Sequence, residues 1–288
     1  MVPEKYKGIL FVLLAAFFFS CMTLFLKLAG DLPSFEKSFF RNFVAIFFAA
    51  GVLVRNRIPL SFGGRGNVKY LIARSVGGTI GIFCNFYAVD HLVLPDANML
   101  NKLSPFFAVI FSYFFLKEKI SAQQFFCLTL AFIGALLIIK PGMSSLTSFP
   151  ALIGAIGGMG AGFAYTFVRI ANQHGVKGPV IVLFFSVFSC LASIPLMNPV
   201  FVVPTVKQLV FLFMTGFAAA GGQFSITAAY SHAPAREISV YDYSQIIFAA
   251  LLGFFFLGEI PDVLSVVGYV VIGAASLIMF EMKRRAAD

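Results

Sequence analysis

The chain has no tryptophan, three histidines, four cysteines and only 12 acidic residues among its 288. Each shortage removes a class of function. His91, His174 and His232 fall at the ends of apolar runs or in gaps on different sides. No paired His and Glu or carboxylate cluster is therefore at hand for an intramembrane enzyme. Cys21, Cys84, Cys127 and Cys190 each sit inside an apolar run without metal-ligand spacing, and read as small core residues. No metal and no cofactor is expected. Charged residues make up 11% of the chain, against about a quarter in an ordinary soluble domain. A surface this poor in charge belongs to a chain dissolved in lipid.

In excess are apolar residues, at 60%, and phenylalanine, with 38 copies. The mean hydropathy of +0.94 agrees. The net charge of +9 would suit a nucleic-acid partner, but the cations lie in short gaps between apolar runs, where they act as topology signals. No nucleic acid is expected.

A bilayer core needs about 20 apolar residues per helix. Ten such spans are predicted, at 8–29, 33–54, 69–89, 96–116, 122–140, 149–171, 179–198, 207–230, 238–257 and 262–282. The first follows Lys5 and Lys7 and imitates a signal peptide; it is too long for one and has no small-residue cleavage site, so it is expected to stay as a span. No gap is long enough to house a soluble domain.

With a cytoplasmic N-terminus, the inside segments hold Lys5, Lys7, Arg55, Arg57, Arg65, Lys69, Lys117, Lys119, Arg169, Lys177, Arg236, Lys283, Arg284 and Arg285. The outside segments hold Lys27, Lys140 and Lys207. That bias sets both termini in the cytoplasm of a multi-pass protein of the inner (plasma) membrane.

The chain also repeats itself. A shift of 141 residues lays His91 on His232, Phe107-Ala108 on Phe248-Ala249 and Phe114-Phe115-Leu116 on Phe255-Phe256-Leu257. Glu118 falls on Glu259, Ala88 on Ala229 and Gly81 on Gly222; after a two-residue slip Ile133-Gly134-Ala135 meets Ile272-Gly273-Ala274. The expected halves are 1–145 and 146–288, each with five spans. An odd number of spans inverts the second half, which gives an all-α membrane protein of ten transmembrane helices in two inverted five-helix repeats. Halves that exchange conformations turn an outward-open site inward, so the repeat favours a transporter.

The stretches ANMLNKLSPFFAVIFSYFFLKEKIS (Ala97 to Ser121) and YSQIIFAALLGFFFLGEIP (Tyr243 to Pro261) resemble the fourth and ninth helices of the drug/metabolite transporter superfamily, in its EamA branch. FFRNFVA around Arg41 and FYAVDHLVLPDA resemble its second helix and its third-to-fourth helix junction. The resemblance implies a central cavity lined by helices 1–4 and 6–9, with helices 5 and 10 outside. Members export amino acids, drugs and other metabolites, and some import. The missing Trp departs from relatives that place one beside the cavity, and leaves Phe and Tyr to line it.

Polar and ionisable groups inside a span are costly, so each is a functional candidate. Asn98, Asn101, Lys102 and Pro105 share one face of the fourth span. Their mates on the ninth span are Ser239, Asp242, Tyr243 and Ile246. At 1.5 Å per residue Lys102 lies ~9 Å below the outer edge and Asp242 ~6 Å from the inner edge, too far apart in depth for a simple salt bridge. Both faces either line the pathway or bond neighbouring backbone. Arg41 is ~12 Å deep, as a tether or a substrate contact. Asn85, Tyr87, Tyr165, Thr166, Gln223, Thr227, Tyr230, Tyr241 and Gln245 are cavity candidates, each with helix packing as the plainer alternative. Glu118 and Glu259 end their helices at matching positions, where the helix dipole disfavours an anion, and read as helix-end anchors; Lys117 or Lys119 is the expected compensation for Glu118. The sixth-span glycines (Gly154, Gly157, Gly158, Gly160, Gly162), with Gly77 and Gly81, read as close packing.

Together these features describe a secondary active carrier of a small organic metabolite, an amino acid or a drug-like compound, working by alternating access; the family resemblance, and it alone, implies export rather than import. A proton is the coupling ion if Asp242 titrates; a fixed ion pair gives the same sequence. A channel or a lipid-translocating protein is the reading from another class. Expected partners are the substrate and the lipid bilayer, with a monomer or a homodimer both open.

Overall fold

In the computed structural model, which describes residues 4–91, 100–140, 149–258 and 260–285, every regular element among the described residues is helical. The helices are α1 (Glu4–Leu28), α2 (Ser34–Arg55), α3 (Val68–His91), α4 (Ser104–Leu116), α5 (Ala122–Ile139), α6 (Phe149–Gln173), α7 (Gly178–Met197) and α8 (Val206–His232). They continue with α9 (Ala235–Leu257) and α10 (Val263–Arg285). Eight of these segments are long and apolar enough to cross a membrane. The exceptions are α3, which carries Lys69 and Arg74, and α4, which is 13 residues long. Exposed Phe47, Phe114, Phe255 and Val270 stud the outer faces, as suits a lipid solvent.

Local chemistry sets the breaks. Ser121 and Gln124 form a capping box at the start of α5, and Thr205 and Gln208 form one at the start of α8. Lys117 and Gly258 end α4 and α9 in the left-handed conformation, φ 58° and 68°.

Two predicted spans need correction. The span at 96–116 is not one helix: residues 92–99 lie outside the described residues, and a turn at Lys102-Leu103 precedes α4. Pro105 cannot donate to the carbonyl of Asn101, and its ring crowds that carbonyl, so the helix restarts at Ser104. The span at 238–257 is likewise broken, running as a short helical turn (Ala235–Ile238), a 3-10 segment (Ser239–Tyr243) and an α-helix (Ser244–Leu257). Backbone groups freed by a break in lipid must find partners. Here the two breaks supply each other. The Tyr243 hydroxyl donates to Lys102 O at 2.9 Å, and Lys102 Nζ donates to Asp242 O at 3.4 Å. Ser20 of α1 donates to Gln245 O at 2.9 Å.

The most extensive packings are α1 on α8, α3 on α6, α2 on α7 and α5 on α10, followed by α2 on α8, α4 on α6, α1 on α9 and α3 on α7. The α3–α6 contact depends on glycine. A Cβ on Gly160 would stand 2.8 Å from Gly77 O, and one on Gly157 3.0 Å from Asn85 N. At those separations backbone touches backbone, which only small residues allow. Gly158 and Gly162 turn instead toward Leu100 and Phe107, against the start of α4.

Candidate functional site

Between α1, α2, α3, α6, α7, α8 and α9, with Asn101 from the segment just before α4, lies a cavity of about 120 Å³. Its walls are aromatic and small, from Phe19, Phe86, Phe185, Gly78, Gly81 and Ala164. Its polar groups are Arg41, Arg74, Asn85, Asn101, Tyr165, Gln223 and Gln245. No Asp or Glu is among its lining residues.

Arg74 is buried at 2% exposure. Its guanidinium lies over the Phe185 ring, 3.7 Å from the centroid, and Nη2 donates to Gln223 Oε1 at 3.0 Å. Gly78, one turn on, leaves it room: a Cβ there would lie 2.3 Å from Arg74 Nη1 and 2.9 Å from Phe185. The Nε of Arg74 has no hydrogen-bond partner in the structure. Arg41 is 7% exposed, and its Nε is also unpartnered. Among the described residues no carboxylate pairs with either guanidinium.

Beside the cavity, Lys102 and Asp242 correct the depth expectation. Lys102 Nζ is 3.4 Å from Asp242 Oδ2, with both side chains nearly buried. Depth counted along unbroken helices separated them, but both spans are broken where they cross, and the breaks bring the two residues to one level. Lys102 also donates to Gln245 Oε1 at 2.7 Å.

The expected cavity residues divide. Arg41, Asn85, Asn101, Tyr165, Gln223 and Gln245 line the cavity. Tyr87 instead stacks on His91, ring centroids 4.0 Å apart. Thr227 and Tyr241 are buried in packing away from the lining. Tyr230 stacks on Tyr165 at 5.1 Å, one layer behind it. Thr166 bonds the carbonyls of Gly162 and Ala108 and so ties α6 to α4. Asn98 and Glu259 lie outside the described residues.

Glu118 finds a partner that local sequence did not indicate. Arg169 Nε of α6 donates to its Oε1 at 2.6 Å, with side-chain exposures of 15% and 12%. Lys117 takes the left-handed backbone that ends α4, and among the described residues the ion pair of Glu118 is with Arg169. Arg169 Nη1 also reaches Tyr230 O at 3.4 Å, and Arg236 reaches Lys119 O at 2.5 Å.

Arg74, Phe185 and Gly78 were missed by sequence reasoning. For Arg74 the signal was present, since it falls five residues inside a predicted span, where any cation is a candidate. For Phe185, one of 38, it was not.

Comparison with known proteins adds the following. The model of the EamA-like transporter family matches residues 6–140 and 152–281. The pseudopaline exporter CntI of Pseudomonas aeruginosa is 35% identical over 289 residues, covering 99% of this chain and 100% of the exporter. An S-adenosylmethionine uptake transporter of Rickettsia bellii is 25% identical, covering 90% of this chain and 88% of that protein. Human solute carrier family 35 member G1 is 26% identical, over 94% of this chain and 78% of its own length. One solved crystal structure superposes with a TM-score of 0.85 over 98% of this chain and 99% of its own, at 14% identity, a likeness of fold alone.

Proposed function

The chain belongs to the EamA-like transporter family, and from that premise we propose that it carries a small organic metabolite across the plasma membrane by alternating access, as an exporter. The observation that carries this reading is the buried polar cavity. Seven helices drawn from both ends of the chain line it together with Asn101, and the predicted spans that contain α4 and α9 are both broken where they cross beside it. Interrupted helices at mid-membrane are where carriers of this kind bind substrate.

The two halves, 1–145 and 146–288, act as inverted repeats. The packing supports this: exchanging each helix for the one five places on turns α1–α8 into α6–α3, α2–α8 into α7–α3 and α4–α6 into α9–α1, all of them observed. The pairs α2–α7 and α5–α10 map onto themselves. With both termini cytoplasmic, the Glu118–Arg169 and Arg236–Lys119 contacts lie on the cytoplasmic side of the bundle.

Asp242 is the coupling group. Its carboxylate is held by Lys102, so protonation ends that ion pair and loosens the α4–α9 crossing. Export follows the exporter similar along the whole chain; the uptake transporters are more distant.

The test is counterflow in proteoliposomes of the purified protein, with amino acids and organic acids as substrates and an imposed pH gradient of either sign. Saturable exchange that the gradient accelerates, and that Asp242→Asn makes pH-independent, is expected. Exchange that stays gradient-driven in Asp242→Asn removes the coupling role. Leak without saturation supports a channel.

A further inference from the structure

The cavity has a charge of its own. Its lining holds two guanidiniums and no carboxylate, and the neighbouring Lys102 and Asp242 cancel each other. The net charge is that of Arg41 and Arg74. Buried cations without a counter-charge are strongly disfavoured, so the site is built for something that brings one.

The amides sharpen this. A cation only donates hydrogen bonds, so Gln223 must present its oxygen to Arg74 and Gln245 its oxygen to Lys102. Each of these oxygens thereby already serves a cation of the protein. The two guanidiniums are the only charges in the lining, and Asn85, Asn101 and Tyr165 add neutral groups that can either donate or accept. A cationic ligand would meet two like charges and no carboxylate. A planar carboxylate meets the opposite charge, and the guanidinium fork matches its two oxygens. Phe185 beneath Arg74 and the bare Gly78 beside it hold that guanidinium flat and fixed, which lowers the entropy lost on binding.

We propose that the substrate is a small organic anion with two carboxylate groups, one seated on Arg74 and the other on Arg41. This rests on the carrier reading above and narrows its substrate class.

The test uses purified full-length protein in detergent. Melting-temperature shifts and calorimetric Kd values are measured for glutarate, citrate, leucine, putrescine and inorganic phosphate. Glutarate or citrate is expected to raise the melting temperature, and Kd to weaken at least tenfold in Arg41→Gln and in Arg74→Gln. Arg74→Lys keeps the charge but loses the fork, so partial recovery is expected. The ligand-free melting temperatures of Arg41→Lys and Arg74→Lys show that the fold persists. Phosphate stabilising more than either carboxylate overturns the proposal, as does dicarboxylate binding that is indifferent to both arginines. Leucine or putrescine binding and exchanging in proteoliposomes while dicarboxylates do neither overturns it too, yet leaves the carrier intact. Dicarboxylates that need both arginines to bind but never cross the bilayer uphold the anion site and sink the carrier.

Discussion

Removing either member of the Glu118–Arg169 pair strands its partner. The two side chains stand 2.6 Å apart at 12% and 15% exposure, at the junction of α4 with α6. Breaking a fully buried pair costs about 3–5 kcal/mol, most of it the desolvation of the charge left behind. The remaining exposure lets water reach that charge, which puts Arg169→Gln at about 2–3 kcal/mol, including the long bond to Tyr230 O at the weak end of its range. Glu118→Gln keeps an acceptor for Arg169 and should cost about 2 kcal/mol. Reversible unfolding by SDS in mixed micelles gives these values directly. The double variant measures the coupling, expected at about 1.5–2.5 kcal/mol. Lys117→Met belongs in the same series. Its expected effect is within about 0.5 kcal/mol, as for a surface change. If Lys117→Met costs as much as Arg169→Gln, or if the cycle closes with no coupling, Glu118 is neutralised locally and the contact to α6 has been misjudged.

Three further outcomes follow from the packing. Gly160→Ala sets a Cβ 2.8 Å from Gly77 O, where backbone on both sides cannot yield, and should lower stability by about 1–3 kcal/mol in the same assay. Tyr243→Phe removes the donor to Lys102 O and leaves that carbonyl bare in the crossing, at a cost of about 1–3 kcal/mol; an unchanged unfolding midpoint would mean water replaces it. Gly78→Ala meets only the tip of Arg74 and the edge of Phe185, so it should spare the fold and weaken dicarboxylate binding at least threefold; unaltered binding by calorimetry would show that Arg74 need not lie flat.

The membrane spans were legible because lipid burial leaves its mark on composition, residue by residue. The breaks in α4 and α9 were less so. Pro105 was visible, but hydropathy averages over a window and registers a broken span and a continuous one alike. Once Lys102 and Asp242 were given depths along straight helices, their contact was excluded by an assumption rather than by a residue. Arg169 illustrates a different limit. It lies 51 residues from Glu118, and nothing local to either announces the pair.

The repeat register nevertheless held more than was drawn from it. Under an inverted exchange of halves, elements lying on the pseudo-axis must meet their own mates, because the operation maps each onto the other in place. The 141-residue shift makes Lys102 and Tyr243 mates, and the Tyr243 hydroxyl is bonded to Lys102 O. It pairs α2 with α7 and α5 with α10 in the same way, and both pairs pack extensively. The register names the mates and the axis decides which of them touch: α1 with α6 and α3 with α8 are mates as well, and neither pair is among the extensive packings. What the register cannot supply is chemistry that the halves do not share. Arg74 has Thr215 as its mate at that shift, and Arg41 has Val182. Both guanidiniums thus belong to the first half, and they make a site whose charge is asymmetric within a scaffold whose helices pair symmetrically.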